Sequence, residues 1–472
     1  MIRVYLDWNV FSYLKSRNET EEIYKILYAI TKSKTDFLYP YSPAHLQDLM
    51  RSYHKSDRAK KMTYEDLDFI TEITNSHCLC EDFKEKGVAP RFIDPKEYFE
   101  EMLGNELLEN FDFENVMEDG DSPIQGIWNS YVDLLKAMPS GVNLEDIDKL
   151  SSKYQKIKDL FVFSRENNSI FSMIKDITNV ITSIEQHSDT YKTIRNSSID
   201  DLKIDTDPKN WGNPFDYLNK FIKKSKIDKT FEEVLIESFK NNDKPLYRFD
   251  SFLQYYISLD MFGFHRDARL SNLMDDATHA YYGAYCDFFL TEDDNTYHKA
   301  KAIYEKFGIE TVVCKVSDFS TELGKLYSLE QPEKIGFLAR LKEVMKSSLV
   351  IANGLDDENN NASIFKIENH LLAYFNRMQI TNKPDRDTLH FYKRRKNYST
   401  FMFLIELETI TNKISTELGI DENKRLEFNQ DEKNEIIEDK WLGRIWAFEN
   451  LLMVLYYQPE PFGLTFQIEI VK

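Results

Sequence analysis

The sequence predicts an α/β protein, with a parallel sheet flanked by helices that is discontinuous along the chain. An α-helical insertion and an α-helical C-terminal domain complete it. Three observations predict this. Short apolar, β-branched runs alternate with helical stretches in two separate blocks, 1–95 and 264–316. The spans 96–263 and 317–472 instead carry apolar residues at i, i+3, i+4 and i+7. Only 15 glycines and 13 prolines are spread over 472 residues, so no flexible linker separates the blocks.

Taken in order, the first strand is IRVYL (2–6), apolar and β-branched, followed at once by Asp7. DFLYPYS (36–42) is the second and HCLC (77–80) the third, with helices expected over Glu21 to Ser33, Pro43 to Tyr53 and Thr63 to Thr74. CDFFLT (286–291) and ETVVCKV (310–316) form a later pair joined by a helical stretch, Tyr297 to Phe307. Between the blocks, WNSYVDLLKAM, KYQKIKDLFVF, IFSMIKDITNVITSI, FDYLNKFIKK and FEEVLIESFK all have helical periodicity. After them FLARLKEVM, IFKIENHLLAYFNRM, YSTFMFLIELETITNKI and WAFENLLMVLYY read the same way, ending in a strand-like FGLTFQIEIV. The expected units are therefore 1–95, the first part of the α/β domain; 96–263, the insertion; 264–316, its second part; and 317–472, the helical C-terminal domain.

Composition bounds the function. A formal net charge of −20 excludes a protein whose whole surface attracts nucleic acid or anionic lipid, but permits a local basic groove. Four scattered cysteines (Cys78, Cys80, Cys286, Cys314) suit a reducing cytoplasm rather than a disulfide scaffold. No signal peptide opens the chain, and no run reaches about 18 consecutive apolar residues. A cytoplasmic protein that does not span a membrane is expected. P-loop, Rossmann and GxSxG motifs are absent, and HCLC lacks the second ligand pair that zinc needs.

The candidate chemistry lies in acids at element ends. Asp7 and Asn9 follow the first strand, where an acid either caps the next helix or faces a ligand site. Asp48 sits in SPAHLQDL, a helix start with Ser42 and Pro43 as cap residues and His45 on the same face. Asp275 and Asp276 open a helix whose Ala277, Ala280, Gly283 and Ala284 allow close packing. Thr291, Asp293 and Asp294 stand past CDFFLT, with Asp287 within it.

Together these stretches resemble the PIN domain family of metal-dependent ribonucleases. VYLDWN matches the first-strand apolar–apolar–x–Asp–x–Asn motif, and SPAHLQDL matches its Ser-x-x-x-x-x-Glu-Leu stretch with Asp48 in place of the glutamate. Asp276–Ala277 matches its helix-opening Asp-Ala, and FFLTED its Thr-x-Asp. The resemblance covers about a third of the chain, and the span from Asp48 to Asp276 is several times the family's usual length. It implies Asp7, Asp48, Asp276 and Asp293 as ligands of Mg²⁺ or Mn²⁺, hard cations suited to oxygen donors. Asn9 and Thr291 would orient a carboxylate or bind phosphate. The shorter Asp48 would act as a second-metal or water ligand.

The activity that the resemblance implies is that of a metal-dependent endonuclease acting on RNA, with a toxin or defence effector as its cellular role. The alternatives are a non-catalytic PIN-like scaffold that binds a protein partner, or a related Mg²⁺-dependent DNA nuclease or phosphatase. Partners left open are an inhibitor or regulatory protein and a second copy of the chain. Lys393, Arg394, Arg395 and Lys396, in the aromatic-flanked run HFYKRRKNY, are the expected nucleic-acid contacts. Arg248, His265, Arg266 and Arg269 are further candidates beside the cleft.

Overall fold

The computed structural model describes residues 1–33, 35–82, 87–109, 188–222, 230–233, 249–327, 336–356, 358–394, 402–458 and 463–472. Strand β1 (Ile2–Leu6) leads into α1 (Trp8–Arg17) and α2 (Glu22–Thr31), and β2 (Phe37–Leu38) into α3 (Pro43–Tyr53) and α4 (Asp57–Thr74). A hairpin of β3 (His77–Asp82) and β4 (Gly87–Phe92) precedes α5 (Pro95–Glu109). Between residues 188 and 261 the described residues include α6 (Ser188–Leu202), α7 (Pro214–Ile222) and α8 (Phe249–Met261). WNSYVDLLKAM, KYQKIKDLFVF, IFSMIKDITNVITSI and most of FEEVLIESFK lie outside the described residues. Then come α9 (Leu270–Gly283), β5 (Phe288–Leu290), α10 (Asp294–Phe307), β6 (Val312–Cys314) and α11 (Val316–Leu326).

The two sequence blocks form one parallel sheet of order β2-β1-β5-β6, with Ile2 beside Phe37, Val4 beside Phe288, and Phe288 beside Val312. Past β2, Tyr41 makes a parallel bridge to Cys78: its N–H donates to His77 O at 2.9 Å, and its carbonyl accepts from Leu79 N–H at 2.8 Å. That places β3 alongside β2. Both faces are covered, which is why these strands read as apolar runs rather than alternating ones. Ile2, Val4, Leu6, Phe288 and Leu290 pack with α1, α2 and α11 residues such as Val10, Leu14, Leu27 and Phe319. Tyr5 and Phe289 face the other core with Leu259, Ala277, Ala280, Tyr281 and Ile303.

Helix α9 lies close against β5 because Gly283 has no side chain. A Cβ there would come within 2.8 Å of the Phe289 ring, itself fully buried. Gly283→Ala is expected to overpack this contact and cost about 1–3 kcal/mol of stability, read as a lower denaturant midpoint. An unchanged midpoint would mean that α9 is free to move.

The C-terminal region departs from expectation. It is not α-helical but a seven-stranded antiparallel sheet of order β11-β12-β13-β10-β9-β8-β7, packed against three helices. In chain order these are α12 (Phe337–Ser347), β7 (Leu349–Leu355), β8 (Asn361–Leu371), β9 (Phe375–Asn382), β10 (Arg386–Tyr392), α13 (Leu404–Leu418), α14 (Gln430–Ile437), β11 (Arg444–Phe448), β12 (Leu451–Gln458) and β13 (Gly463–Val471). The expected helices FLARLKEVM and YSTFMFLIELETITNKI fall on α12 and α13, and FGLTFQIEIV on β13. IFKIENHLLAYFNRM is instead β8 turning into β9, with Leu372 and Ala373 at φ 56° and 57° in the turn. WAFENLLMVLYY is the tight hairpin of β11 and β12, with Phe448 beside Leu451.

Burial explains the misreading. The first four residues of β9, Phe375 to Met378, are all buried, because this end of the sheet abuts the α/β part. There Arg377 pairs with Glu310 at 2.5 Å, and Ala373 joins the α/β core. Continuous burial erases the two-residue alternation that marks a strand and leaves matches at helical spacing.

Ion pairs join the two units. Arg3, in the first strand, donates from Nε and Nη2 to the two Glu406 oxygens at 2.8 and 2.6 Å, and both side chains are buried. Lys393 Nζ donates to Asp287 at 2.9 Å and to Met1 O at 3.1 Å. Lys393 is 2% exposed and therefore cannot be the nucleic-acid contact expected of it. Arg394 is exposed, and Arg395 and Lys396 lie outside the described residues. Asp287, also accepting from Arg3 N–H at 2.8 Å, belongs to this joint rather than to the cleft.

Candidate metal centre

Parallel strands bring their carboxyl ends to one edge, and the acids gather there. Asp7 follows β1 and caps α1, accepting from Trp8 N–H at 2.7 Å. Its second oxygen accepts from Thr291 Oγ1 at 2.6 Å and Asn9 Nδ2 at 2.9 Å. Asn9 Oδ1 accepts in turn from Glu292 N–H at 3.1 Å, tying the ends of β1 and β5 together. Asp293 caps α10, accepting from Thr296 N–H at 2.7 Å, while its own N–H donates to Thr291 Oγ1 at 3.2 Å. Asp276 does not open its helix: α9 starts at Leu270, and Asp276 stands in its middle. The packing of α9 on the sheet still directs it to the cluster.

Asp267, Asp276 and Asp293 each offer an oxygen within 4.8 Å of the others, a group that can hold a metal ion. Asp7 borders it, and its charge acts on Asp276. Among the described residues nothing donates a hydrogen bond to Asp276. Burial first, then the charges of Asp7, Asp267 and Asp293, hold its carboxyl well above the ordinary range. Burial raises Asp7 as well, opposed by His279 and the Thr291 hydroxyl.

Asp48 stands one step further out. Its Oδ2 accepts from His279 Nε2 at 2.8 Å, and His279 is 3.8 Å from Asp7 Oδ1. The other ring nitrogen of His279 meets Tyr5 Oη at 3.0 Å. Burial alone would lower the His279 pKa, but Asp7 and Asp48 outweigh it and raise it. His45, on the same face of α3 as Asp48, turns inward instead, between Leu6 O at 2.8 Å and Ser42 N–H at 3.0 Å.

Asp267 is the member of the cluster that sequence reasoning misses. It lies in HRDARL, a stretch conspicuous only for its basic residues, and nothing in its spacing marks it as a ligand. It is fixed by a buried network from the insertion. Lys299 Nζ pairs with Asp267 and lies 3.4 Å from Asp260, while Arg195 donates to Asp260 at 2.9 Å and to Asp267 O at 2.7 Å. Tyr191 Oη donates to Asp260 at 2.5 Å, and Asp260 accepts from Asp267 N–H at 2.6 Å. Arg195 and Tyr191 come from α6, so the insertion holds one edge of the site.

Comparison with known proteins gives no relative. No family model, curated protein or solved structure matches the chain.

The local charge count favours a cation. Lys299 and Arg195 offset Asp267 and Asp260, and His279 faces Asp48. Among the described residues, the cationic side chain facing Asp7 is the His279 ring, at 3.8 Å. Asp276 and Asp293 make no ion pair among the described residues. Like charges at this separation, partly shielded from water, favour a counter-ion or a proton. Arg266 and Arg269, near Asp267 in sequence, are exposed, as is His298, stacked on His265 with ring centroids 4.0 Å apart. Arg248 lies outside the described residues. Asp294, next to Asp293, is exposed and pairs with Lys315 at 2.9 Å. No helix among the described residues is long and apolar enough to cross a membrane.

Proposed function

We propose that the protein hydrolyses phosphodiester bonds of RNA with the help of Mg²⁺ or Mn²⁺, as a nuclease of the PIN-like kind. The observation that carries the reading is the Asp276 carboxylate, which has no donor among the described residues and faces Asp7, Asp267 and Asp293. All-oxygen donors suit a hard divalent cation that keeps waters and binds phosphate oxygens. Asp276, Asp293 and Asp7 would hold it, with Asp267 sharing its charge between the cation and Lys299. When bound, the cation supplies an activated water and charge stabilisation at the phosphate.

The chain's own residues supply orientation. Thr291 and Asn9 fix Asp7 by two hydrogen bonds, and the α10 cap fixes Asp293. Asp48, held by His279, acts through water rather than by direct contact, in keeping with its shorter side chain. Arg266 and Arg269, exposed and near Asp267 in sequence, would contact the phosphate backbone, and the His298 ring would offer a stacking face.

The test is cleavage of single-stranded RNA, with DNA in parallel, in Mg²⁺, Mn²⁺ or chelator. Metal-dependent RNA cleavage is expected, and Thr291→Val should slow it about 10–100-fold, as loss of a residue that orients a ligand does. If neither nucleic acid is cut at any metal concentration, the enzyme reading fails and the scaffold reading takes its place.

A further inference from the structure

Two fully buried hydroxyls beside the acids make no hydrogen bond among the described residues: Tyr256 Oη on α8 and Thr296 Oγ1 on α10. They lie next to one another. The backbone N–H of Thr296 is the one that Asp293 caps, at 2.7 Å. Lys299, one turn further along α10, sets its Nζ over the Tyr256 ring at 4.9 Å from the centroid and pairs with Asp267. Helix α8 packs against both α9, which carries Asp276, and α10. Burial first, then the charges of Asp276 and Asp267, hold the Tyr256 phenol well above its ordinary pKa, so it stays protonated and can donate. Asp276 is the complementary group, a half-buried carboxylate to which no described residue donates.

A buried hydroxyl without a partner costs about 1–3 kcal/mol, so an element that buries two of them side by side has a use for both. Two hydroxyls and a carboxylate are matched by a single water, which accepts from the hydroxyls and donates to the carboxylate. We propose that Tyr256 and Thr296 are positioning residues of the metal centre, acting through one shared water on the Asp276 oxygen that does not take the cation. The water fixes the Asp276 carboxylate as Thr291 and Asn9 fix that of Asp7, and leaves its other oxygen for the metal. This role rests on the metal centre proposed above, and it gives the insertion a part in orienting the ligands, because α8 falls within 96–263.

Mn²⁺ titration by calorimetry tests the role. Tyr256→Phe removes only the hydroxyl and is expected to weaken Mn²⁺ binding about 10–100-fold, the usual cost of losing a group that orients a ligand. Its denaturant midpoint without cation should stay close to wild type, which separates a role at the metal from one in packing. Thr296→Val should weaken binding likewise, and Thr296→Ser, which keeps the hydroxyl, should bind more tightly than Thr296→Val. Tyr255→Phe is the control: that ring, on the same helix, packs against Phe215, Phe231 and Phe307, and its loss of a hydroxyl should leave Mn²⁺ binding unchanged. A crystal structure should show one water within hydrogen-bond distance of Tyr256 Oη, Thr296 Oγ1 and Asp276. Wild-type Mn²⁺ affinity that Tyr256→Phe and Thr296→Val both retain overturns the proposal, as does a crystal structure in which the two hydroxyls share no water with Asp276. Wild-type protein that binds no Mn²⁺ instead overturns the metal centre itself, and this role with it.

Discussion

Replacing Asp276 by Asn is expected to abolish metal-dependent RNA cleavage and to make the cation-free protein more stable. Loss of an outer-shell partner typically costs about 10–100-fold in metal affinity or activity, and loss of a direct ligand should exceed that. The gain in stability comes from linkage. A carboxyl whose folded pKa lies above its unfolded value of about 3.9 binds more protons when folded, so its contribution to stability falls as pH rises through the folded value. Asp276 is such a group, raised by burial and by Asp7, Asp267 and Asp293. Without metal, the wild type should therefore lose stability as pH rises above about 4 more steeply than Asp276→Asn does. Denaturant melts at several pH values in chelator measure this. Equal slopes would mean that Asp276 titrates as an ordinary surface acid.

The second large effect concerns the joint between the units. Arg3→Met leaves Glu406 buried and unpaired and is expected to cost about 3–5 kcal/mol. Burial pushes the Glu406 carboxyl up, but the Arg3 guanidinium overcomes it and holds the pKa at about 2. With the folded value below the unfolded one of about 4.3, the stabilisation is present above that pH. It is lost as pH falls towards about 2. Wild-type stability should drop across that window. The double variant Arg3→Met with Glu406→Leu should flatten that acid limb and recover much of the stability, since an apolar pair removes both desolvation costs. If Arg3→Met alone melts like wild type, the pair does not hold the two units together.

The α/β part is legible in the sequence because a sheet covered on both faces leaves short, largely apolar runs, and IRVYL, CDFFLT and ETVVCKV are of that kind. Asp7 and Asp293 are legible because strand ends are recognisable in sequence, whereas the sequence puts Asp276 at the opening of a helix whose middle it occupies. Asp267 is not legible, because its place depends on Lys299, Asp260 and Arg195, which meet only in three dimensions. Lys393 misleads for the converse reason: a basic run shows charge but not burial, and Asp287 lies 106 residues away. The C-terminal sheet is hidden where β9 is buried on consecutive residues. Arg3, in an otherwise apolar strand, gives no sign of its partner Glu406, 403 residues later.

The carboxylate site is tested most directly by titrating Mn²⁺ into the wild type and into Asp276→Asn, by calorimetry and by thermal melting. The wild type is expected to bind, gaining about 2.7 kcal/mol of stability at one hundred times its dissociation constant, and Asp276→Asn to lose most of that gain. Wild-type protein that takes up no Mn²⁺ or Mg²⁺, or an Asn variant that binds as tightly as wild type, would contradict a metal centre at Asp267, Asp276 and Asp293.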